Sequence, residues 1–106
     1  MASNFQSYVY SSIGTSNTTV LSASTTTTVI GFSISNTIST PVTASAILSK
    51  SGGSSVYIIK DAPVPTGGAL IIVGGDQKIV MKSGDTLKVS ANTASSVDTI
   101  ISTLEM

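Results

Sequence analysis

Along most of this chain apolar and polar residues alternate with a period of two, the spacing of a half-buried β-strand. Val42, Ala44, Ala46 and Leu48 alternate with Thr43, Ser45 and Ile47. In the stretch from Thr28 to Ile34 the same rule places Thr28, Ile30, Phe32 and Ile34 on one face. From Val97 to Leu104, Ile100 and Leu104 share one parity, and Val97, Thr99 and Ile101 the other. Ala69 to Val73 is a continuous apolar run between Gly67-Gly68 and Gly74-Gly75. Shorter strands are predicted at Val56–Ile59, which Lys60-Asp61 ends, at Lys78–Met81 and at Thr86–Val89. Phe5–Tyr10 and Thr18–Leu21 complete the set.

No window of a dozen residues keeps an i, i+3, i+4, i+7 apolar stripe. The segment 94–104 has the length for a helix, but Val97, Thr99, Ile100, Ile101 and Thr103 are β-branched and favour a strand. About eight or nine short strands, recurring every 8–12 residues or so between Gly, Asn, Ser and Pro, predict an all-β protein. The expected fold is a single antiparallel β-sandwich, jelly-roll or Ig-like, with one domain spanning residues 1–106. Within it, residues 1–25 are read as an interface arm plus the first strands. Pro63-Val64-Pro65-Thr66-Gly67-Gly68 reads as a stiff crossover between sheets or around an edge, because proline cannot sit in a central strand.

Composition then narrows the chemistry. The 106 residues include no His, Cys or Trp, and all five basic residues are lysines. No disulfide, thiol nucleophile, Ser-His-Asp triad or ordinary zinc or haem ligand set can be built from them. No catalytic residues and no cofactor are expected. Five scattered lysines make no basic stripe, which argues against nucleic acid. The longest apolar run has five residues where a spanning helix needs about 20, and the N-terminus has no basic or apolar leader region, so neither a membrane span nor a secretory signal is expected.

Asp76, Asp85 and Asp98 are candidate ligands for a hard cation. No D-x-D-x-D loop accompanies them, and Gly74-Gly75-Asp76 and Gly84-Asp85 read better as hairpin turns. Lys82-Ser83-Gly84-Asp85 is a four-residue turn on this reading.

The charge pattern changes the picture most. Only 9% of residues are charged and the net charge is zero. The first charged side chain is Lys50, so residues 1–49 carry none. Charged side chains normally prevent edge-to-edge strand pairing. A sandwich with an uncharged first half therefore predicts a covered surface, with Phe5, Tyr8 and Tyr10 as interface anchors. Serine and threonine supply 35 residues, enough hydroxyls to solvate what remains exposed.

Several segments resemble small structural proteins of tailed bacteriophages, notably phages of aquatic bacteria: TVIGFSISNT at 28–37, VYIIKDAPVPTGGALIIVGGDQKIVMKSGDTLKVSA at 56–91 and SVDTIISTLEM at 96–106. The opening YVYSSIGTSNTTVLSAS is similar in kind. KSGDTLKVSA also resembles a segment of jelly-roll trimers, although the aromatic residues usual in their last strand are missing here. The resemblance implies a β-sandwich attached to a virion, as a capsid decoration (cement) protein on the outer surface of the head, or as a neck, tail or baseplate component. Its implied partners are the major capsid protein or other virion proteins, with self-association into a homo-oligomer, a trimer or ring. A different class, a carbohydrate-binding adhesion module, would use Tyr8, Tyr10 and Tyr57 as stacking platforms; the absence of Trp and Arg speaks against it.

Overall fold

A computed structural model describes residues 4–74 and 78–106. The period-two segments form nine strands: β1 (Asn4–Ile13), β2 (Thr18–Ser22), β3 (Thr27–Asn36), β4 (Val42–Ser49), β5 (Ser55–Val64), β6 (Ala69–Val73), β7 (Ile79–Met81), β8 (Thr86–Ala91) and β9 (Val97–Glu105). They make two antiparallel sheets, one ordered β1-β9-β3-β6 with β7 also on β3, the other β2-β8-β4-β5. Residues 97–105 are a strand, as their β-branched side chains require.

The strand order identifies the wrapping. β1 pairs with β9, β2 with β8, β3 with β6 and β7, and β4 with β5. One long antiparallel ribbon is thus folded over on itself, so that successive pairs fall in alternate sheets. This is the jelly roll, and it decides between the two sandwich topologies. β6 and β7 lie end to end along β3: Val73 sits opposite Phe32 and Ile79 opposite Val29. They run in the same direction and are not hairpin partners, which corrects the hairpin expected after Gly74. Asp76 lies outside the described residues. Lys82–Asp85 does form a turn, closed by the Asp85 N–H donating to the Lys82 carbonyl at 3.0 Å. It also is not a hairpin, because β7 and β8 belong to different sheets.

Between the sheets lies an aliphatic core. Phe32, Ile34, Met81, Leu87 and Ile101 are its largest fully buried side chains, with Val20, Val29, Val64, Val73, Val89 and Val97 around them. The accessible surface of 5510 Å² agrees with the roughly 5,500 Å² that size scaling gives for a compact chain of this mass. Hydroxyls and amides that enter the core are paired. Thr99 donates to the Ser33 carbonyl at 2.6 Å, and the Asn36 amide donates to the Val64 and Thr40 carbonyls at 3.1 and 2.9 Å. Among the described residues no buried side-chain nitrogen or oxygen lacks a partner, which is how a chain so rich in Ser and Thr closes a core.

Two expectations are corrected by bulges. Thr28, Ile30, Phe32 and Ile34 do not share a face. The β3–β9 register slips between Val29 and Gly31, leaving Ile30 as the extra residue. Val29, Phe32 and Ile34 therefore point inward, while Thr28 and Ile30 turn outward. Lys60-Asp61 does not end β5. The strand continues to Val64, and the two charged residues sit in a second irregularity, opposite Ser45, whose hydroxyl accepts the Asp61 N–H at 2.9 Å. Pro63 is tolerated because β5 is the edge of its sheet. The chain then crosses to the other sheet through a turn in which Gly68 donates to the Pro65 carbonyl at 2.9 Å.

Candidate functional site

The jelly roll interleaves the uncharged first half of the chain with the second half. β1 and β3 enter one sheet, β2 and β4 the other. The absence of charge therefore does not mark one side of the molecule. What the folding selects instead is one face.

On the β1-β9-β3-β6 sheet, antiparallel register aligns side chains into rows. Val9 lies opposite Ile100, Ile100 opposite Ser33, and Ser33 opposite Ile71. A second row runs Phe5, Leu104, Thr28 and Val80. Both rows point away from the core, because their neighbours along each strand, such as Ile101, Thr103 and Ile34, are buried. Phe5 is 74% exposed, Val9 69% and Ile71 68%, with Ile100 and Val80 about half exposed. An open trough separates the rows, lined by Phe5, Ser7, Ile30 and Ser102. Among the described strand residues whose side chains point outward on this face, the one ionisable group is Asp98. Its carboxylate accepts the Ser12 N–H at 2.9 Å, at the bulge that ends the regular part of β1.

The opposite outer face is different in kind. Its central row runs Thr19, Lys88, Ile47 and Tyr57. Lys60 lies over the Tyr57 ring, 5.3 Å from its centroid, so cations and a cation–π contact break up the apolar surface there.

The three residues singled out from the sequence occupy different settings. Phe5 belongs to the outer apolar face. Tyr8 points the other way, opposite buried Ile101, and packs against the core while its hydroxyl donates to Glu105. That hydrogen bond, with burial and the nearby carboxylate charge, raises the Tyr8 pKa above its ordinary value. Tyr10 is inward by parity but sits at the open margin and is exposed. Ile71, Val80, Ile100 and Leu104 were not singled out, since their grouping depends on strand order. Tyr8 and Tyr10 lie on β1, whereas Tyr57 lies on the far edge of the other sheet, so the structure does not bring the three tyrosines together.

Asp85 and Asp98, the two candidate carboxylates among the described residues, do not converge either. Asp85 is buried, and it accepts from the Lys50 ammonium and from the Ser51 and Lys82 N–H groups, both at 3.0 Å. These donors, Lys50 first, hold its pKa down to about 2. Asp98 lies in the other sheet, bonded to Ser12. Among the described residues no group of three metal-ligating side chains could hold an ion. Comparison of the chain with protein-family models, curated proteins and solved structures gives no significant match.

Proposed function

We propose that this protein is a non-enzymatic virion structural protein, a capsid decoration protein of a tailed bacteriophage, which meets the capsid lattice through the outer face of the β1-β9-β3-β6 sheet. The observation that supports this reading is the pair of exposed apolar rows, Val9-Ile100-Ser33-Ile71 and Phe5-Leu104-Thr28-Val80. Exposed apolar side chains grouped on one face of a small domain mark an interaction site. The resemblance of the chain to phage structural proteins supplies the kind of partner, the major capsid protein or another virion protein. The face offers area and shape, and Asp98, the one ionisable group at its described outward strand positions, is already engaged with the Ser12 N–H, which favours adhesion.

The test is co-sedimentation of the purified chain with phage heads assembled without it. Ile71→Lys and Val80→Lys place charge in the two rows and are expected to abolish association. Tyr57→Lys, on the opposite outer face, is expected to leave it intact. Unchanged association of both row variants, or loss with Tyr57→Lys alone, would exclude this face as the contact.

A further inference from the structure

The apolar face ends at the free edge of β1, and that edge differs from the other three. β5 carries Lys60, Asp61 and Pro63 and two register shifts. β2 has five residues and a register shift of its own. The far edge of the same sheet is made of two short strands, β6 with five residues and a register shift in its pairing with β3, and β7 with three. Charge, proline, bulges and short length are devices by which sheets prevent edge pairing. β1 has none of them between Asn4 and Tyr10. This segment keeps seven consecutive pairs with β9, from Asn4 opposite Glu105 to Tyr10 opposite Thr99. Irregularity begins beyond Tyr10, where Ser12 adopts a φ of 57°.

We propose that the Asn4–Tyr10 edge pairs antiparallel with the same segment of a second copy of this chain, about a two-fold axis at Ser7. The occupant follows from the segment itself. Ser7 is the midpoint of the regular stretch, so a two-fold axis there pairs all seven residues. Phe5 then faces Val9 of the second copy, Gln6 faces Tyr8 and Asn4 faces Tyr10. Antiparallel partners present their side chains on the same face, and each of these pairs has matching parity. Phe5 opposite Val9 is an aromatic–β-branched pair on the outer face, a favourable cross-strand combination. The Val9-Ile100-Ser33-Ile71 row of one copy thereby runs into the Phe5-Leu104-Thr28-Val80 row of the other. The sheet and both its apolar rows become continuous across the junction. No charge opposes any other across the axis, whereas the β5 edge would bring Lys60, Asp61 and Pro63 to the pairing. This edge pairing does not depend on which lattice the outer face meets.

The experiment is sedimentation equilibrium and native mass spectrometry of the purified chain. The wild type is expected at twice its 10.7 kDa mass; a monomer throughout the micromolar range would overturn the proposal. Ser7→Lys and Ser7→Glu each set like charges face to face and are expected to weaken dimerisation at least about tenfold. Mixing the two is expected to restore a one-to-one heterodimer. Either variant dimerising like the wild type would place the contact elsewhere. Ser7→Cys requires no disruption of the fold: in a chain without cysteine, a short thiol–thiol cross-linker is expected to trap a covalent dimer, while Ser54→Cys is expected to give none. Failure to trap at Ser7 would also overturn the pairing. The Ser7 variants leave Ile71 and Val80 untouched, so dimerisation and lattice association can fail separately.

Discussion

Lys50, the first charged side chain in the chain, bonds the buried carboxylate of Asp85, thirty-five residues further on. The pair ties the β4–β5 turn to the turn leading into β8, and the Ser51 and Lys82 N–H groups complete the carboxylate's partners. The charge that breaks the long neutral stretch thus has a structural use at one end of the sandwich.

A pH dependence follows. The Asp85 pKa is lowered from 3.8 to about 2 in the folded chain. The folded state holds the ionised form, so the stabilisation is fully present above the unfolded value. It is lost as pH falls through the folded value. Thermal melts are expected to be flat in this respect above about pH 4 and to drop between about pH 4 and pH 2. Asp85→Asn should remove that drop. Asp85→Ala is expected to lower Tm more than Lys50→Ala, because it strands two backbone donors as well as the ammonium. Equal effects of the two would contradict this arrangement.

Much of the fold was legible because the period-two pattern is local. All nine segments read as strands are strands, and the parity of β9 is as expected. What was misread is non-local. The bulge at Ile30 is set by pairing with β9, so the alternation in 28–34 appears unbroken in sequence while the two ends face opposite ways. The run Ala69–Val73 is a strand as expected, but an unbroken apolar run does not say which side chains face out; pairing at the sheet edge leaves Ile71 in the open. The candidate face shows the same division. Phe5 was visible as an aromatic in a charge-free strand. Ile71, Val80 and Ile100 come from strands scattered through the second half and meet only once the jelly-roll order is known.

Gly84 is the backbone counterpart of the Lys50–Asp85 contact. Its φ is +94°, and an added Cβ would come within 2.7 Å of the Ser51 Cβ. Gly84→Ala is expected to destabilise the fold by about 1–3 kcal/mol, through both the left-handed backbone and the displaced Ser51. Chemical denaturation measures this directly. A neutral substitution would mean the turn can relax into another conformation at little cost.

Tyr8 makes an alkaline counterpart to the acid transition. Its folded pKa lies above the ordinary value of 10.0 because its hydroxyl bonds Glu105. The protonated form is therefore favoured by folding. Its contribution is present below the unfolded pKa and is lost as pH rises through the folded one. Unfolding above about pH 10 is expected to be steeper in the wild type than in Tyr8→Phe. Superimposable alkaline melts would show that the Glu105 bond does not matter.

Phe5 and Ile101 separate surface from core within one sheet. Phe5→Ala removes an exposed ring, and in the monomeric Ser7→Lys background it is expected to shift stability by less than about 0.5 kcal/mol. Ile101 is fully buried, and Ile101→Ala is expected to cost about 2–5 kcal/mol. Urea titration of the two variants gives the comparison. A Phe5→Ala loss comparable to that of Ile101→Ala would place the ring in the core.

The outer face also implies a response to salt. Among the described residues, its outward strand positions carry one ionisable side chain, Asp98, already engaged with the Ser12 N–H. An association made through this face rests on apolar burial, which ionic strength does not screen. Its affinity is expected to change by less than about threefold between about 50 mM and about 1 M NaCl. Contacts made through the opposite face would involve Lys88 and Lys60 and should weaken markedly over the same range. Co-sedimentation across a salt series therefore reports which of the two faces is used. Release at high salt would assign the contact to the lysine-bearing face.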